Sequence, residues 1–427
     1  MGYVAVRGGG LAIEESLKLL EYQRAHSGVT LEPDAIRRAF PDAIDQVMGE
    51  SSLYAPDLAA LALKQARGSI EEAVFLLRAF RSTLERPYVS RAVDTSEMRV
   101  DRRISAAFKD IPGGQVLGAT RDYSHRLIDF DLAHETPEDQ RKRAAELERH
   151  FGIEEGALDE ALLAADASTE GFASEGRYPK VLDYLRSEGI LPVCGNDDAE
   201  PVDVTMGALE FPCARSARLQ TLSRGMTQAV EAFGYAAIRG YGPSHPTVGE
   251  LRHGMAEVCV DVPGEERCDA EDAYYLGSIP LTEVESVFEV ETEEAGVTTL
   301  SFEIGYGLVM GGAETKAIAM SVLDHCLDLG DARYPTQDEE FVLYHVDGVE
   351  AQGFISHLKL PHYVTFQSKL DTVRTARSHE SDAEGSGAAP SDAEAADVEA
   401  HAAGFDGGAS PDEASAAVDA TVDEKER

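Results

Sequence analysis

The sequence predicts an α+β fold, helix-rich at its N-terminal end and then mixed α/β with a small antiparallel sheet. Three patterns carry that reading. Residues 33–48 and 55–84 space their apolar side chains at the helical period. Residues 286–310 alternate apolar and polar, with Val and Thr frequent, as two half-buried strands do. Beyond about residue 376 the composition falls to Ala, Asp, Glu, Ser and Gly, almost without aromatics, which predicts a disordered acidic tail. The expected organisation is a helical region at 1–131 with a basic Gly-Gly loop and an acidic helical insertion at 132–176. A mixed α/β domain at 177–376 and the tail at 377–427 follow.

Taken in order, residues 1–7 read as a strand, followed by Gly8-Gly9-Gly10 and an amphipathic helix over 12–24. A strand, a glycine run and a helix can cradle a phosphate. This run lacks the Lys-Ser/Thr of a P-loop and the spacing of a dinucleotide fingerprint, so a tight turn is the plainer reading. Ser69 is placed to cap the helix after it, with Glu72 completing a capping box. Further helices are expected at 178–188, 215–232, 247–258 and 313–328. An apolar strand is expected after the carboxylates at 338–340.

Charge and composition exclude several function classes. The chain carries 38 basic and 78 acidic residues, a net charge of −40, so a general basic surface for nucleic acid is not expected. Its acids are spread along the whole length, which points to adaptation to a salty cytoplasm, where salt screens their repulsion. No run of about 18 apolar residues marks a membrane span, and the N-terminus has neither the basic leader nor the apolar core of a signal peptide. Five scattered cysteines form no C-x-x-C pair and read as reduced cytoplasmic thiols.

Candidate chemistry gathers in three places. Arg99, Arg102, Arg103 and Lys109 precede Asp110-Ile111-Pro112-Gly113-Gly114. Arginine donors and exposed backbone N–H groups suit phosphate oxygens, while pairing with neighbouring acids is the alternative. Arg239-Gly240-Tyr241-Gly242-Pro243-Ser244-His245-Pro246 is a shaped loop, and loops carry function more often than helices. The last apolar stretch holds Asp338, Glu339 and Glu340, then His357 and His362. Residues five apart on an ideal helix diverge by about 140°, and Pro361 argues against a continuous helix between the histidines. A turn there brings both imidazoles to one point, which suits zinc or another late divalent ion, although two ligands alone do not make a tight site.

The run from Gln337-Asp338-Glu339-Glu340-Phe341-Val342-Leu343 to Gly353-Phe354-Ile355-Ser356-His357-Leu358-Lys359-Leu360-Pro361-His362-Tyr363 resembles the C-terminal signature of PhnI, a subunit family of the carbon–phosphorus lyase complex. Glu50-Ser51-Ser52-Leu53-Tyr54, Ala73-Val74-Phe75-Leu76-Leu77-Arg78-Ala79, Arg102-Arg103-Ile104-Ser105-Ala106, Lys109 to Gln115, His125-Arg126-Leu127, Pro212-Cys213-Ala214-Arg215-Ser216 and His245-Pro246 extend the resemblance. The acidic insertion and the tail depart from it. The resemblance implies a subunit that, with PhnG, PhnH, PhnJ and PhnL types of partner, displaces adenine from ATP with an alkylphosphonate. It also implies purine nucleosidase activity, and it maps His357 and His362 onto zinc ligands at a face shared with the radical subunit. Breaking an N-glycosidic bond through an oxocarbenium-like state needs an acid and nearby negative charge. Asp338, Glu339 and Glu340 are the candidates, with His245 as a further acid. A triphosphate with Mg²⁺ needs cations and backbone donors, here Arg102, Arg103, Lys109, Gly113, Gly114, Arg215, Arg239 and Tyr241.

The charge reading has a direct check. Circular dichroism during dialysis from multimolar to dilute salt should show loss of structure, and an unchanged cooperative fold in dilute buffer rejects it.

Overall fold

The computed structural model describes residues 9–152, 177–193, 200–241, 245–261, 273–294 and 297–386. The expected strand at 1–7, the second half of the acidic insertion and the tail from 387 onward lie outside these residues. Two compact units divide the chain. One is His26–Ser356; the other joins Met1–Ala25 to His357–Arg427.

The smaller unit opens with α1 (Gly9–His26), the helix predicted over 12–24, but no residue of it is buried. The larger unit starts with four helices, α2 (Pro33–Ala39), α3 (Pro41–Ser51), α4 (Pro56–Gln65) and α5 (Ile70–Arg81). α2, α3 and α4 each begin with proline, where the missing N–H has no partner to lose and the fixed φ already suits a helix. Ser69 caps α5 by accepting the Glu72 amide at 3.3 Å. Only half of the expected capping box forms, because the Ser69 amide donates to the Ala66 carbonyl at 3.1 Å and not to Glu72, while its hydroxyl also meets Glu71 at 3.2 Å. Ile36, Ile44, Val47, Met48, Leu63, Val74 and Leu77 close the helical core.

Four antiparallel strands follow in the order β1 (Arg99–Ile104), β2 (Thr247–Val260), β3 (Tyr274–Glu294) and β4 (Val297–Met310). β3 and β4 are the predicted strand pair, extended toward its N-terminal side. β2 corrects the helix expected at 247–258. It is hydrogen-bonded on both edges, with Leu251 opposite Ile104 on one side and Val284 on the other, and that pairing outweighs local helical spacing. Gly254 makes the close approach to β1 feasible, since a Cβ there would lie 2.0 Å from the Arg99 carbonyl oxygen. β1, from the expected region 1–131, is thus an edge strand of a sheet whose other strands come from the expected region 177–376.

Between β1 and β2 the chain forms α6 (Pro137–Phe151), α7 (Asp183–Ser187), α8 (Arg215–Arg224) and α9 (Thr227–Ala236), then a π-turn at Ala237–Tyr241. α6 is the helix expected in the acidic insertion, with Thr136 and Asp139 forming a true capping box. α10 (Glu314–Leu329) lies across β3 and β4. Its Ala317, Met320 and Leu323 join Leu251, Val284 and Val309 in the second core. Gly305 and Gly307 let it approach the main chain. A Cβ on either would fall 1.9 Å from the Ser321 carbonyl oxygen or 2.0 Å from that of Ala317.

α11 (Glu339–His345) replaces the strand expected after the carboxylates. Asp338 caps it, and Glu339 and Glu340 in its first turn complement the positive end of the helix dipole. α12 (Gly348–His357) follows. In the smaller unit α13 (Tyr363–Ser386) continues past residue 376, so the tail expected from 377 does not begin there. Its polar residues form local helical pairs, such as Gln367 with Asp371 at 2.9 Å. No helix of the described residues is long and apolar enough to cross a membrane.

The glycine contact gives a stability test. Gly307→Ala should force α10 off the sheet and destabilise the fold by about 1–3 kcal/mol or more in urea unfolding. An unchanged midpoint rejects this packing.

Candidate functional site

The N-terminal end of α11 borders a groove of about 480 Å³. Phe211, Pro212 and Leu327 give it an apolar side, and Arg218, Asp338, Glu339 and Glu340 give it a charged one. The Phe211–Pro212 peptide is cis, and the Phe211 ring meets Tyr344 edge-on at 5.2 Å.

The three neighbouring carboxylates have different surroundings. Asp338 accepts the Phe341 amide at 2.9 Å and is held as the helix cap. Glu339 is half-buried; both its oxygens lie 3.1 Å from the Cys213 amide, and Arg218 Nη1 is 3.7 Å away. Glu340 is exposed on the rim. Burial, then the charge of Glu339, pushes the Cys213 thiol above its ordinary range, so it is no activated nucleophile.

Below the groove Arg218 pairs with Asp328, and Arg215 pairs with Asp324 at 2.6 Å. Asp324 also accepts the Tyr306 amide at 2.9 Å. Burial raises the Asp324 carboxyl, and Arg215 opposes that rise. Arg215 is therefore tied to the frame of the groove.

Of the two arrangements open to the basic Gly-Gly loop, the arginines take the one in which they pair with acids. Arg103 is fully buried: it donates to Glu250 at 2.6 Å, to the Pro112 carbonyl at 2.6 Å and to the Pro179 carbonyl at 2.9 Å. Its guanidinium also lies over the Tyr178 ring at 5.0 Å. Arg102 is buried between Glu314 and Asp122, at 2.5 and 2.6 Å. Gly113 and Gly114 take positive φ, and a Cβ on Gly113 would strike the Tyr178 ring at 2.2 Å. The Gly114 amide closes a turn on the Ile111 carbonyl. Arg102 and Arg103 are thus engaged by acids and carbonyls in an internal joint, while Gly113 and Gly114 lie exposed beside it. Lys109 is exposed.

Arg239 and Tyr241 belong to the π-turn, with Arg239 exposed. Residues 242–244 of the shaped loop lie outside the described residues. His245 is exposed, with Nδ1 3.2 Å from the Pro246 carbonyl. Among the described residues the groove lining does not include Lys109, Arg239 or His245.

The histidine pair sits in the smaller unit. α12 ends at His357, a turn closes through the Leu360 amide and the His357 carbonyl at 2.9 Å, and α13 starts at Tyr363. The ring centres of His357 and His362 are 5.6 Å apart at 62°. Two imidazoles on one tetrahedral zinc, with Zn–N near 2.0–2.1 Å, have ring centres about 5 Å apart, so the pair fits a shared ion. His362 Nδ1 lies 2.6 Å from the Leu360 carbonyl, which places the proton there and leaves Nε2 as the ligand atom. Among the described residues no group of three or more His, Cys, Asp or Glu is arranged for a metal.

Two features escaped sequence reasoning. Arg218 joins Glu339 only through the packing of α8 on α10 and α11. The buried set Glu250, Arg252, Glu283 and Glu285 did leave a signal: charges two residues apart in an apolar strand share one face.

By its sequence the chain falls in a class of bacterial phosphonate-metabolism proteins. Residues 2–380 match the family model described as bacterial phosphonate metabolism protein (PhnI), and the chain belongs to the PhnI family. HtxH of Stutzerimonas stutzeri, whose name assigns it provisionally to the C-P lyase subunits, is 43% identical over 385 residues, 88% of this chain and 96% of that protein. The alpha-D-ribose 1-methylphosphonate 5-triphosphate synthase subunit PhnI of Rhizobium meliloti (strain 1021) is 40% identical over 385 residues, covering 88% and 95%. Its namesake in Escherichia coli (strain K12) is 42% identical over 380 residues, covering 87% and 97%.

Proposed function

We propose that this chain is a subunit of an alpha-D-ribose 1-methylphosphonate 5-triphosphate synthase acting within a cytoplasmic C–P lyase complex. The observation that carries the reading is the full-length likeness to the two synthase subunits, at 40% and 42% identity over 95% and 97% of their lengths. In the proposed reaction an alkylphosphonate oxygen forms a bond to the ribose anomeric carbon of ATP. The bond from that carbon to adenine breaks, and adenine leaves with a proton. The partners are subunits of the PhnG, PhnH, PhnJ and PhnL types, and ATP arrives with Mg²⁺ on its triphosphate. Neither nucleic acid nor a membrane is a partner.

The groove supports these roles. Phe211, Pro212 and Leu327 offer apolar surface for a purine. Glu339, fixed by the Cys213 amide, supplies standing negative charge toward an oxocarbenium-like sugar. Glu340, exposed on the rim, is the carboxyl assigned to the leaving base. His357 and His362 would hold zinc as half of a ligand set, the remainder coming from the radical subunit. Zinc bound there would supply a fixed positive centre at the junction of two chains.

That two-ligand arrangement favours a second reading, in which the chain chiefly docks partners and lends ligands. Adenine release from ATP, measured on the full chain at high salt with and without partner subunits, separates the two. The catalytic reading expects release that falls about 10²-fold or more in Glu340→Gln. Release that needs the partners but ignores this substitution supports the scaffold reading. For the metal, the double variant His357→Ala, His362→Ala should lose the zinc of the assembled complex; undiminished zinc by elemental analysis sinks that assignment.

A further inference from the structure

A cluster of arginines stands where α5, α8 and the start of α12 meet, and the synthase reading makes no use of it. Arg78 and Arg81 are one turn apart on α5, and Arg224 ends α8. Arg86 lies beyond the end of α5 and interacts electrostatically with Arg81.

Two of these charges are balanced. Arg78 grips both oxygens of Asp347 at 2.8 and 2.7 Å and donates to the Glu50 carbonyl at 2.9 Å. Arg86 pairs with Asp203 at 2.9 Å and with the Thr205 hydroxyl at 3.0 Å.

Arg81 and Arg224 are held otherwise. Arg81 donates from Nη1 to the Ser51 carbonyl at 2.6 Å, and Arg224 donates from Nη1 to the Val204 carbonyl at 2.9 Å. Both acceptors are neutral. Arg224 Nε is buried with no hydrogen-bond partner among the described residues. The Lys316 ammonium adds a further cation, bonded to the Ser223 and Gly225 carbonyls on either side of Arg224.

Burial, then the neighbouring charge of Arg78, pushes Arg224 down to about 10, and Asp347 opposes this. Burial followed by Arg78 and Arg86 lowers Arg81 likewise, and the charge of Asp203 opposes the fall at both arginines without a direct pair to either. A buried charge without a counter-ion is expensive. In a chain with 78 acidic residues and a net charge of −40, carboxylates are abundant, yet none pairs with either guanidinium among the described residues.

We propose that Arg81 and Arg224 form an oxyanion site for a phosphoryl or phosphonate group. Two guanidiniums with donors left over offer several charge-assisted hydrogen bonds to a tetrahedral anion. Arg78 is the positioning residue, because its bonds to Asp347 and to the Arg224 carbonyl at 3.3 Å fix the distance between α5 and α8. Arg81 is only half-buried, so the anion has a route from solvent. The site stands apart from the groove, and its existence does not depend on the synthase reading.

The test is calorimetric titration of the full chain, at constant ionic strength, with inorganic phosphate, methylphosphonate and tripolyphosphate in separate runs. Saturable binding of at least one is expected, and the tightest of the three identifies the source of the group. Arg81→Gln and Arg224→Gln should each weaken that binding about tenfold or more, the loss expected when a hydrogen bond to a charged group goes. Lys142→Gln on the exposed α6 should leave it unaltered. No saturable binding of any of the three overturns the proposal. So does wild-type affinity in folded Arg81→Gln, which is half-exposed and decides the matter if Arg224→Gln does not fold.

Discussion

The Arg103–Glu250 pair is the constraint around which the larger unit is arranged. Both side chains are almost completely buried, at 0% and 3% exposure. Glu250 also receives Arg252 at 2.8 Å and the Val181 amide at 2.9 Å, while Arg103 binds the carbonyls of Pro112 and Pro179. One carboxylate therefore ties β1, β2, the Gly-Gly turn and the segment before α7. Removing one partner of such a pair costs about 3–5 kcal/mol, because the other charge is left buried alone. The segment covering the sheet is clamped again by Lys180 on Glu283 and Arg186 on Glu285, and Leu182 fills the space between these charges and the core.

The same logic, in which surroundings divide labour among like groups, operates at α11. Asp338, Glu339 and Glu340 are consecutive, yet the start of a helix gives each its own environment. The first caps, the second is gripped by an amide from another segment, and the third points to solvent. Such differences let adjacent carboxylates take unlike chemical roles.

The fold class was legible because helix and strand periods survive in α3, α5, β3, β4 and α10. β2 was not, since its identity comes from partners on both edges and its own spacing also permits a helix. α11 was misread because a short apolar run cannot by itself distinguish strand from helix. The turn between His357 and His362 and the closeness of their rings were readable from Pro361. Arg102 and Arg103 were not, because sequence places the acids Glu250 and Glu314 far from them, and only the fold shows that these arginines are already paired. Arg218, Arg224 and Arg81 left no local mark; their significance lies in which charges do or do not stand beside them.

Gly305 and Gly307 set the position of α10 by contact between one main chain and another. Main-chain atoms are the same whatever the side chains, so the helix has a datum that drift in the apolar core cannot move. Asp324, reaching the Tyr306 amide from that helix, inherits the same fixed reference. The frame beneath the groove can thus hold its place while the surface accumulates acidic residues.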